Sequence, residues 1–252
     1  MSERYLHLAA SVAKKTVLST LVVESILLPV KNLDVSAKVL AVLAGERISY
    51  SSSEMVNGVP SHDIVVVLGA GSYSDEEGNP KPNAFEKWRL IGAALVIANT
   101  PGARVLLLDG DQKVGEVDRQ YLEDMVQTFS YGRIKLSNKE VYIGTGFVNT
   151  PTSLEYARNF FKNNHFKHPL FMSDDFHIDR VGIESYNFGI EGFSTFTTEQ
   201  AVGLFLPEAM PMLRKRNENP GMLELKLKET LELIELMYDR DDHVSTLLRH
   251  GP

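Results

Sequence analysis

Apolar runs and polar turns alternate along the middle of the chain. The run at 63–68, Asp-Ile-Val-Val-Val-Leu, leads directly into Gly69 and Gly71. A continuous apolar run of this length is typical of a strand buried on both faces, as in a parallel sheet. Similar runs recur further along the chain. The predicted strands are 63–68, 104–108, 141–145, 169–173 and 193–197.

Helical patterns separate these strands. Asn83, with Glu86 three residues later, predicts an N-cap and capping box at the start of a helix. Further helices are predicted over 116–129, from a capping box of Thr152 with Glu155 onward, and over 176–188. Strands that alternate with amphipathic helices indicate βαβ units and a parallel sheet covered on both faces. The predicted fold class is α/β, a three-layer αβα Rossmann-like parallel sheet with additional N- and C-terminal helices.

Both ends of the chain are predicted to be helical additions to this core. Residues 1–60 carry apolar positions at helical spacing and then a serine-rich loop over 49–60. The last region carries a helical apolar stripe over 223–238. The predicted division is a helical extension or cap at 1–60, a Rossmann-like core at 61–198, and C-terminal helices at 199–252 that pack on the core or the cap.

Composition narrows the classes of partner. The chain has 252 residues, 43% of them hydrophobic, with a net charge of −7 and no cysteine. The acidic balance and the absence of a basic run argue against nucleic-acid binding. Without cysteine, disulfides, zinc-thiolate sites and thiol nucleophiles are excluded. The apolar run at 16–23 is too short to span a bilayer, so we expect a cytoplasmic protein with no membrane span.

Polar and glycine residues stand at the ends of the first two predicted strands. Gly69, Gly71 and Ser72 follow the first strand, and Asp109 and Gly110 end the second. In open α/β sheets, ligands bind beyond the carboxyl ends of the strands. We therefore predict that these residues form the floor of a ligand site. The alternative for the glycines is a tight turn between strand and helix with no ligand.

The densest polar segment, 173–180, begins where the fourth predicted strand ends. His177 and Arg180 share one face if the segment is helical. Arginine binds phosphate or carboxylate through paired hydrogen bonds, and histidine transfers protons near neutral pH. Ser173, His177 and Arg180 are therefore predicted to meet an anion. The alternative is an ordinary helix start capped by Asp174 or Asp175.

Three further observations complete the candidate chemistry. Arg89 lies near the start of a helix, where the dipole disfavours a cation, so an anionic partner is expected, either Glu116 or a ligand. Glu116 joins His177 as a catalytic candidate, although an acid in a first turn also complements the dipole. His165 and His168 are spaced across a loop, and no metal site is predicted.

The order of these motifs resembles the SanA/ElyC/YdcF family of bacterial proteins over residues 62–182. The matching features are Leu68-Gly69-Ala70-Gly71, Arg89 with Ala93 and Leu95, Asp109-Gly110 followed by Glu116, Ser153 to Ala157, and Ser173 with His177 and Arg180. Tyr156 replaces the family's usual Asn, and Asp109-Gly110-Asp111 replaces its Ser-Gly-Gly turn. The resemblance, which is to the soluble branch, implies a three-layer Rossmann-like fold and a polar cleft at the strand ends.

Two classes of function follow from the sequence. The first is binding of an anionic small molecule, nucleotide-like or phosphorylated, with hydrolysis or transfer by His177 if the protein is an enzyme. S-adenosylmethionine is an alternative ligand, whereas the 40 residues from Gly69 to Asp109 argue against ordinary NAD binding. The second is a non-catalytic regulatory or interaction protein, with its terminal helices forming a partner or homodimer surface. The cofactor is unspecified.

Overall fold

A five-stranded parallel sheet forms the centre of the computed structural model, which describes residues 54–100, 102–137 and 140–218 and the positions 222, 225, 226, 228, 229 and 232. Its strands are β1 (Ile64–Leu68), β2 (Arg104–Gly110), β3 (Val141–Thr145), β4 (Pro169–Ser173) and β5 (Ser194–Thr197). They lie in the order β3-β2-β1-β4-β5, and every neighbouring pair is parallel.

Helices cover both faces of this sheet. They are α1 (Ala84–Asn99), α2 (Gln112–Phe129), α3 (Thr150–Asn164), α4 (Asp175–Asn187), α5 (Thr198–Phe205) and α6 (Met210–Asn217), with a short 3₁₀ helix at Pro207–Ala209. α1, α2 and α5 pack on one face, and α3 and α4 pack on the other. The predicted three-layer Rossmann-like α/β fold is confirmed.

The central strand β1 shows why its sequence is apolar at every position. Val65 and Val67 face the layer of α1 and α2, whereas Ile64 and Val66 face the layer of α3 and α4. All are buried. A strand enclosed in this way has no solvent-facing side, and therefore it shows no alternation of polar and apolar residues.

Two helices begin earlier than the sequence predicted. α2 begins at Gln112, because the Asp111 side chain accepts a hydrogen bond from the Val114 amide and caps the helix there. α3 begins at Thr150, where Asn149 and Thr152 form the capping box. The predicted capping box of Thr152 with Glu155 is therefore wrong.

Two short antiparallel hairpins were predicted as loops. Ser72–Ser74 pairs with Pro80–Pro82 after β1, and Met55–Val56 pairs with Val59–Pro60 before it. The helices predicted within residues 1–53 lie outside the described residues, as do the leucines of the predicted stripe over 223–238. No helix in the described part of the chain has the length and apolar character to cross a membrane.

The strand order has a switch point at the carboxyl edge of the sheet, between β1 and β4. From β1 the chain passes through α1 to β2 on one side, whereas β4, reached through α3, lies on the other side of β1. The loops that follow β1 and β4 therefore leave toward opposite faces of the sheet. Such a switch point is where open α/β sheets bind ligands.

Candidate functional site

The carboxyl edge of the sheet gathers the strand ends that the sequence predicted as a site. The β1 loop (residues 69–72) lies between Asp109, near the end of β2, and Ser173, at the end of β4. Gly71 and Ser72 are exposed, whereas Ser173 is fully buried. The tip of the β1 loop is thus accessible to solvent, whereas the end of β4 beside it is not.

Three carboxylates meet beside this loop. Glu86 of α1, Asp109 of β2 and Asp118 of α2 each place one oxygen within 4.8 Å of the others, and we call them the carboxylate triad. Glu86 and Asp118 are each 1% exposed, and Asp109 is half-buried. The two helices lie side by side on one face of the sheet, and therefore their buried faces bring both acids to the end of β2.

Few donors reach the triad. The Ala70 amide donates to one oxygen of Glu86. Within the described residues, the other Glu86 oxygen, Oδ2 of Asp109 and both oxygens of Asp118 accept nothing from a backbone or cationic donor. The Asp109 and Asp118 carboxyl groups are also close enough to share a proton.

Burial and mutual repulsion change the acidity of the triad. Desolvation, followed by the charge of Asp118, raises the pKa of Glu86 to about 8. Desolvation, followed by the charge of Glu86, raises the pKa of Asp109 to about 9. Desolvation raises the pKa of Asp118 to about 6. Three negative charges in this space therefore require protons or a cation at neutral pH.

Two glycines make room for the Asp109 carboxylate. A Cβ atom on Gly69 would lie 2.8 Å from the Leu108 carbonyl oxygen and 3.0 Å from Oδ1 of Asp109. A Cβ atom on Gly115 would lie 2.3 Å from Cγ2 of Ile143 and 3.3 Å from Oδ2 of Asp109. The space around this carboxylate therefore depends on the absence of side chains at both positions.

Arg89 is buried beneath the β1 loop and already has an anionic partner. Its Nε donates to Oδ2 of Asp174 at 2.6 Å, and its Nη1 donates to the carbonyl oxygens of Leu68 at 2.7 Å and Gly69 at 3.0 Å. The anionic partner that the sequence led us to expect is thus Asp174, rather than Glu116. Arg89 fixes the position of the β1 loop from below.

Asp174 is the centre of a buried charge network. It occupies the N-cap position of α4, but its side chain makes no capping hydrogen bond. Its second oxygen lies 2.8 Å from Nη1 of Arg216 in α6, and Nη2 of Arg216 lies 3.1 Å from Glu199 in α5. The network therefore connects α1, α5 and α6 to the start of α4.

Arg180 is also paired within the chain. Its Nε and Nη2 donate to the Glu229 carboxylate at 2.6 and 3.0 Å. Its Nη1 lies 2.6 Å from a carboxylate oxygen of Glu232 and 3.6 Å from one of Glu184. The guanidinium that was predicted to bind an anionic ligand is thus held by three carboxylates from α4 and the C-terminal region.

His177 lies between two hydroxyl groups. Its Nδ1 is 2.7 Å from Oγ of Ser173, and its Nε2 is 3.4 Å from Oγ1 of Thr150 at the start of α3. Burial, reinforced by the charges of Arg89 and Arg180, lowers the pKa of His177 well below 6.5. The ring is therefore neutral at physiological pH, a form that can accept a proton from a bound group.

Glu116 does not join these groups. Its side chain is 43% exposed and lies 2.6 Å from Nη2 of Arg119 on the same helix. It also accepts a hydrogen bond from Gln112. Asp118, two residues further along α2, is the acid that faces the sheet.

Two members of the triad, Glu86 and Asp118, were not predicted as site residues. Asn83 is the predicted N-cap and accepts from the Glu86 amide, but the Glu86 side chain turns to the Ala70 amide instead of closing a capping box. Asp118 shares the buried face of α2 with Gly115 and Leu122, one position away from Val117 and Tyr121, which were predicted to face the core. The available signal in the sequence was an acidic residue at a position that falls on the apolar face of its helix, as both Glu86 and Asp118 do. No metal site was predicted, because His165 and His168 are spaced across a loop and the carboxylates are scattered along the sequence.

A depression lies at the opposite edge of the sheet. Arg158, Lys162, Lys167 and Pro169 are among its lining residues. Pro169 begins β4, whereas His177 and the triad are at the carboxyl ends of the strands. This cationic depression is thus separate from the switch point between β1 and β4.

No protein-family model, no curated protein and no solved structure matches the chain. The arrangement of its own side chains is therefore the basis for interpreting the site.

Proposed function

We propose that the protein binds an anionic small molecule, nucleotide-like or phosphorylated, in the crevice between the β1 loop and the segment 173–177. The observation that carries this proposal is the strand order, which reverses direction at β1 and β4. The loops that border this switch point hold Gly69 and Gly71 on one side and His177 on the other. Ligands of open α/β folds occupy this position.

The pairing of Arg89 and Arg180 changes how an anion would be recognised. Both guanidinium groups are held by carboxylates of the chain, so we assign the anion to backbone amides. We assign this role to the Gly71 amide of the β1 loop and the Thr150 amide at the start of α3. The neighbouring amides already donate within the chain, and Pro151 has no N–H. Amides at a helix start bind phosphate and carboxylate groups without a charged side chain.

His177 is the residue to which we assign proton transfer, if the bound molecule is hydrolysed or transferred. Oγ of Ser173 contacts Nδ1 and so orients the ring, leaving Nε2 on the side of Thr150. A neutral imidazole in this position acts as a general base toward a water or hydroxyl group. Glu116 receives no role, because its carboxylate pairs with Arg119 away from the triad.

S-adenosylmethionine stays an alternative ligand, but one contact favours a phosphorylated molecule. An adenosine ligand of this fold class commonly places its ribose against an acid at the end of the second strand. Here that acid is Asp109, and its carboxylate lies against Glu86 and Asp118. We also keep the proposal that the chain is a relative of the soluble branch of the SanA/ElyC/YdcF family.

A thermal-shift screen of the purified protein tests the proposal. The panel contains mono- and dinucleotides, sugar nucleotides, isoprenyl phosphates and S-adenosylmethionine, each with Mg²⁺ or with chelator. A ligand at about 100 times its Kd adds about 2.7 kcal/mol of stability, which is readily detected. We expect a phosphorylated compound to raise the Tm, and His177→Gln to abolish its turnover where turnover occurs.

Two variants locate the ligand. Thr150→Val removes the hydroxyl that faces His177 and should weaken binding of the compound. Lys162→Ala changes the depression at the opposite edge and should leave binding unchanged. Loss of binding in Lys162→Ala alone would place the ligand outside the crevice. If no compound of the screen changes the Tm of the folded protein, the non-catalytic interaction protein is favoured instead.

A further inference from the structure

We propose that Glu86, Asp109 and Asp118 bind one hard divalent cation of the Mg²⁺, Mn²⁺ or Ca²⁺ class, with water completing its coordination. The inference goes beyond the proposed function, because the three side chains form the site without any organic ligand. It rests on four observations: unpaired buried oxygens, the spacing of the oxygens, the space kept by two glycines, and the partial exposure of Asp109.

The first observation is that buried carboxylate oxygens lack donors. Glu86 and Asp118 are each 1% exposed, and between them three oxygens accept no backbone or cationic hydrogen bond within the described residues. Buried carboxylates are normally paired, hydrogen-bonded or coordinated to a metal. Arg89, one turn after Glu86, directs its donors to Asp174 and two carbonyl oxygens instead.

The spacing and chemistry of the oxygens define the class of ion. One oxygen from each residue lies within 4.8 Å of the other two. Oxygens on opposite sides of a single ion are about 4.2 Å apart for Mg²⁺ and about 4.6–5.2 Å apart for Ca²⁺, from bond lengths of about 2.1 and 2.3–2.6 Å. All three ligands are carboxylates, which suit hard cations and offer no nitrogen or sulfur for softer metals.

The surroundings leave space for the ion and hold its ligands in place. Gly69 and Gly115 carry no Cβ where one would press on the Asp109 carboxylate or on its neighbours. The Ala70 amide orients Glu86 through a hydrogen bond to one oxygen, leaving the other available. Asp109 lies near the carboxyl end of β2 and is half-buried, so it is the member of the triad with the most contact with solvent.

The competing explanation is a proton shared between Asp109 and Asp118. Both explanations neutralise the triad, but only one gives stoichiometric metal binding. The experiment uses the full chain, stripped of metal with a chelator and titrated with Mn²⁺ while electron paramagnetic resonance reports the free ion. We expect one bound Mn²⁺ per chain, displaced by Mg²⁺ or Ca²⁺.

Matched variants on one helix identify the ligands. Asp118→Asn should weaken Mn²⁺ binding at least about tenfold, because it removes a charged ligand. Asp124→Asn makes the same chemical change at an exposed position of α2 and should bind as the unmodified chain does. Glu86→Gln provides a second ligand variant, and circular dichroism of each metal-free variant establishes that it is folded.

The possible results separate clearly. Absence of bound Mn²⁺ in the unmodified chain, or equal affinity in folded Asp118→Asn, would overturn the cation site and leave the shared proton. Because Mn²⁺ is the only probe, this result is independent of the screen for an anionic ligand. If Mn²⁺ binds and no compound of the thermal-shift screen changes the Tm, the cation site is retained and the proposed anionic ligand is rejected.

Discussion

Arg89 and Asp174, 85 residues apart in the chain, form a buried ion pair with 2.6 Å between Nε and Oδ2. The pair joins α1 to the start of α4 across the end of β1. Since Arg216 contacts the other oxygen of Asp174, one carboxylate compensates two buried guanidinium groups. This arrangement holds the β1 loop and the His177 segment in fixed relation to each other.

Asp174→Asn is therefore expected to lower the free energy of unfolding by about 3–5 kcal/mol, because it leaves the buried Arg89 guanidinium without a carboxylate and leaves Arg216 with Glu199 alone. Urea denaturation followed by circular dichroism measures this loss. Glu155→Gln is the control, since Glu155 lies 3.9 Å from Arg158 on an exposed surface of α3. Its loss should be about 0.5 kcal/mol or less. Equal losses in the two variants would contradict the structural role of the buried pair.

Gly110, which ends β2, combines a positive φ with a close neighbour. Its φ is +76°, and a Cβ atom there would lie 2.4 Å from the Phe147 carbonyl oxygen. Gly78 has a similar φ of +79°, but a Cβ atom added there would have no neighbour within 4 Å. Gly78→Ala should cost about 1–2 kcal/mol for the left-handed backbone alone. Gly110→Ala should cost about 1–3 kcal/mol more for the steric clash. Chemical denaturation of both variants measures the difference, and equal costs would show that the segment around Phe147 moves aside.

Glu184 predicts a stability that depends on pH. Burial, reinforced by Glu229 and Glu232 and opposed by Arg180, raises its pKa from 4.5 to about 7. The folded state therefore favours the neutral carboxyl group, and this contribution is full below pH 4.5 and lost as the pH rises through 7.

Glu184→Gln should remove that loss. At pH 8 the variant is expected to be more stable than the unmodified chain by roughly 1–3 kcal/mol, since one pKa unit corresponds to about 1.4 kcal/mol. The difference should shrink steadily toward pH 4.5. Denaturation curves collected across this range test the prediction, which fails if the two proteins differ by the same amount at every pH.

His177 predicts the opposite slope. Its pKa lies well below 6.5 in the folded state, chiefly through burial and then through the charges of Arg89, Arg180 and Lys228. Below pH 6.5 the unfolded chain gains a proton that the folded chain does not, so stability should fall as the pH falls.

Nuclear magnetic resonance of the imidazole nitrogens provides a direct measurement of this histidine. The His177 ring should keep the shifts of a neutral tautomer from pH 8 to pH 5.5, whereas in urea it should titrate near 6.5. His177→Gln identifies the signals by their loss. A His177 ring that titrates near 6.5 in the folded protein would contradict a buried, neutral imidazole.

Local sequence patterns were sufficient to predict the sheet and most of its helices. The residues of β3 and β4 match the predicted strands. β4 is buried at every position between the two helical layers, and its residues are accordingly apolar except for Ser173 at its end. Asn83 was identified as an N-cap from its spacing alone. These features depend on neighbours within a few residues, and the sequence contains those neighbours in order.

Charge pairing was harder to predict, because the partners are distant in the sequence. Arg180 was expected to meet a ligand, but its partner Glu229 lies 49 residues further on. Glu86 fitted a local capping box and was therefore not considered for a site, although its carboxylate bonds Ala70. To choose Asp118 over Glu116, one must know which residues of α2 face the sheet to within one position. The spacing of the hydrophobic residues does not define the orientation of the helix that closely.

The position of Arg216 and Glu229 in the chain has a consequence for synthesis. The ribosome makes all five strands, through Thr197, before it makes either residue. Until then Asp174 has one of its two arginines and Arg180 lacks its bidentate partner. Asp174 then has Arg89 and Arg180 has Glu184, but burying a charge whose pairing is incomplete is costly, so the nascent sheet cannot bury this edge at full stability. The complete burial of Asp174 and Arg180 is therefore a late step of folding during synthesis. It follows translation of α6 and of the segment that carries Glu229.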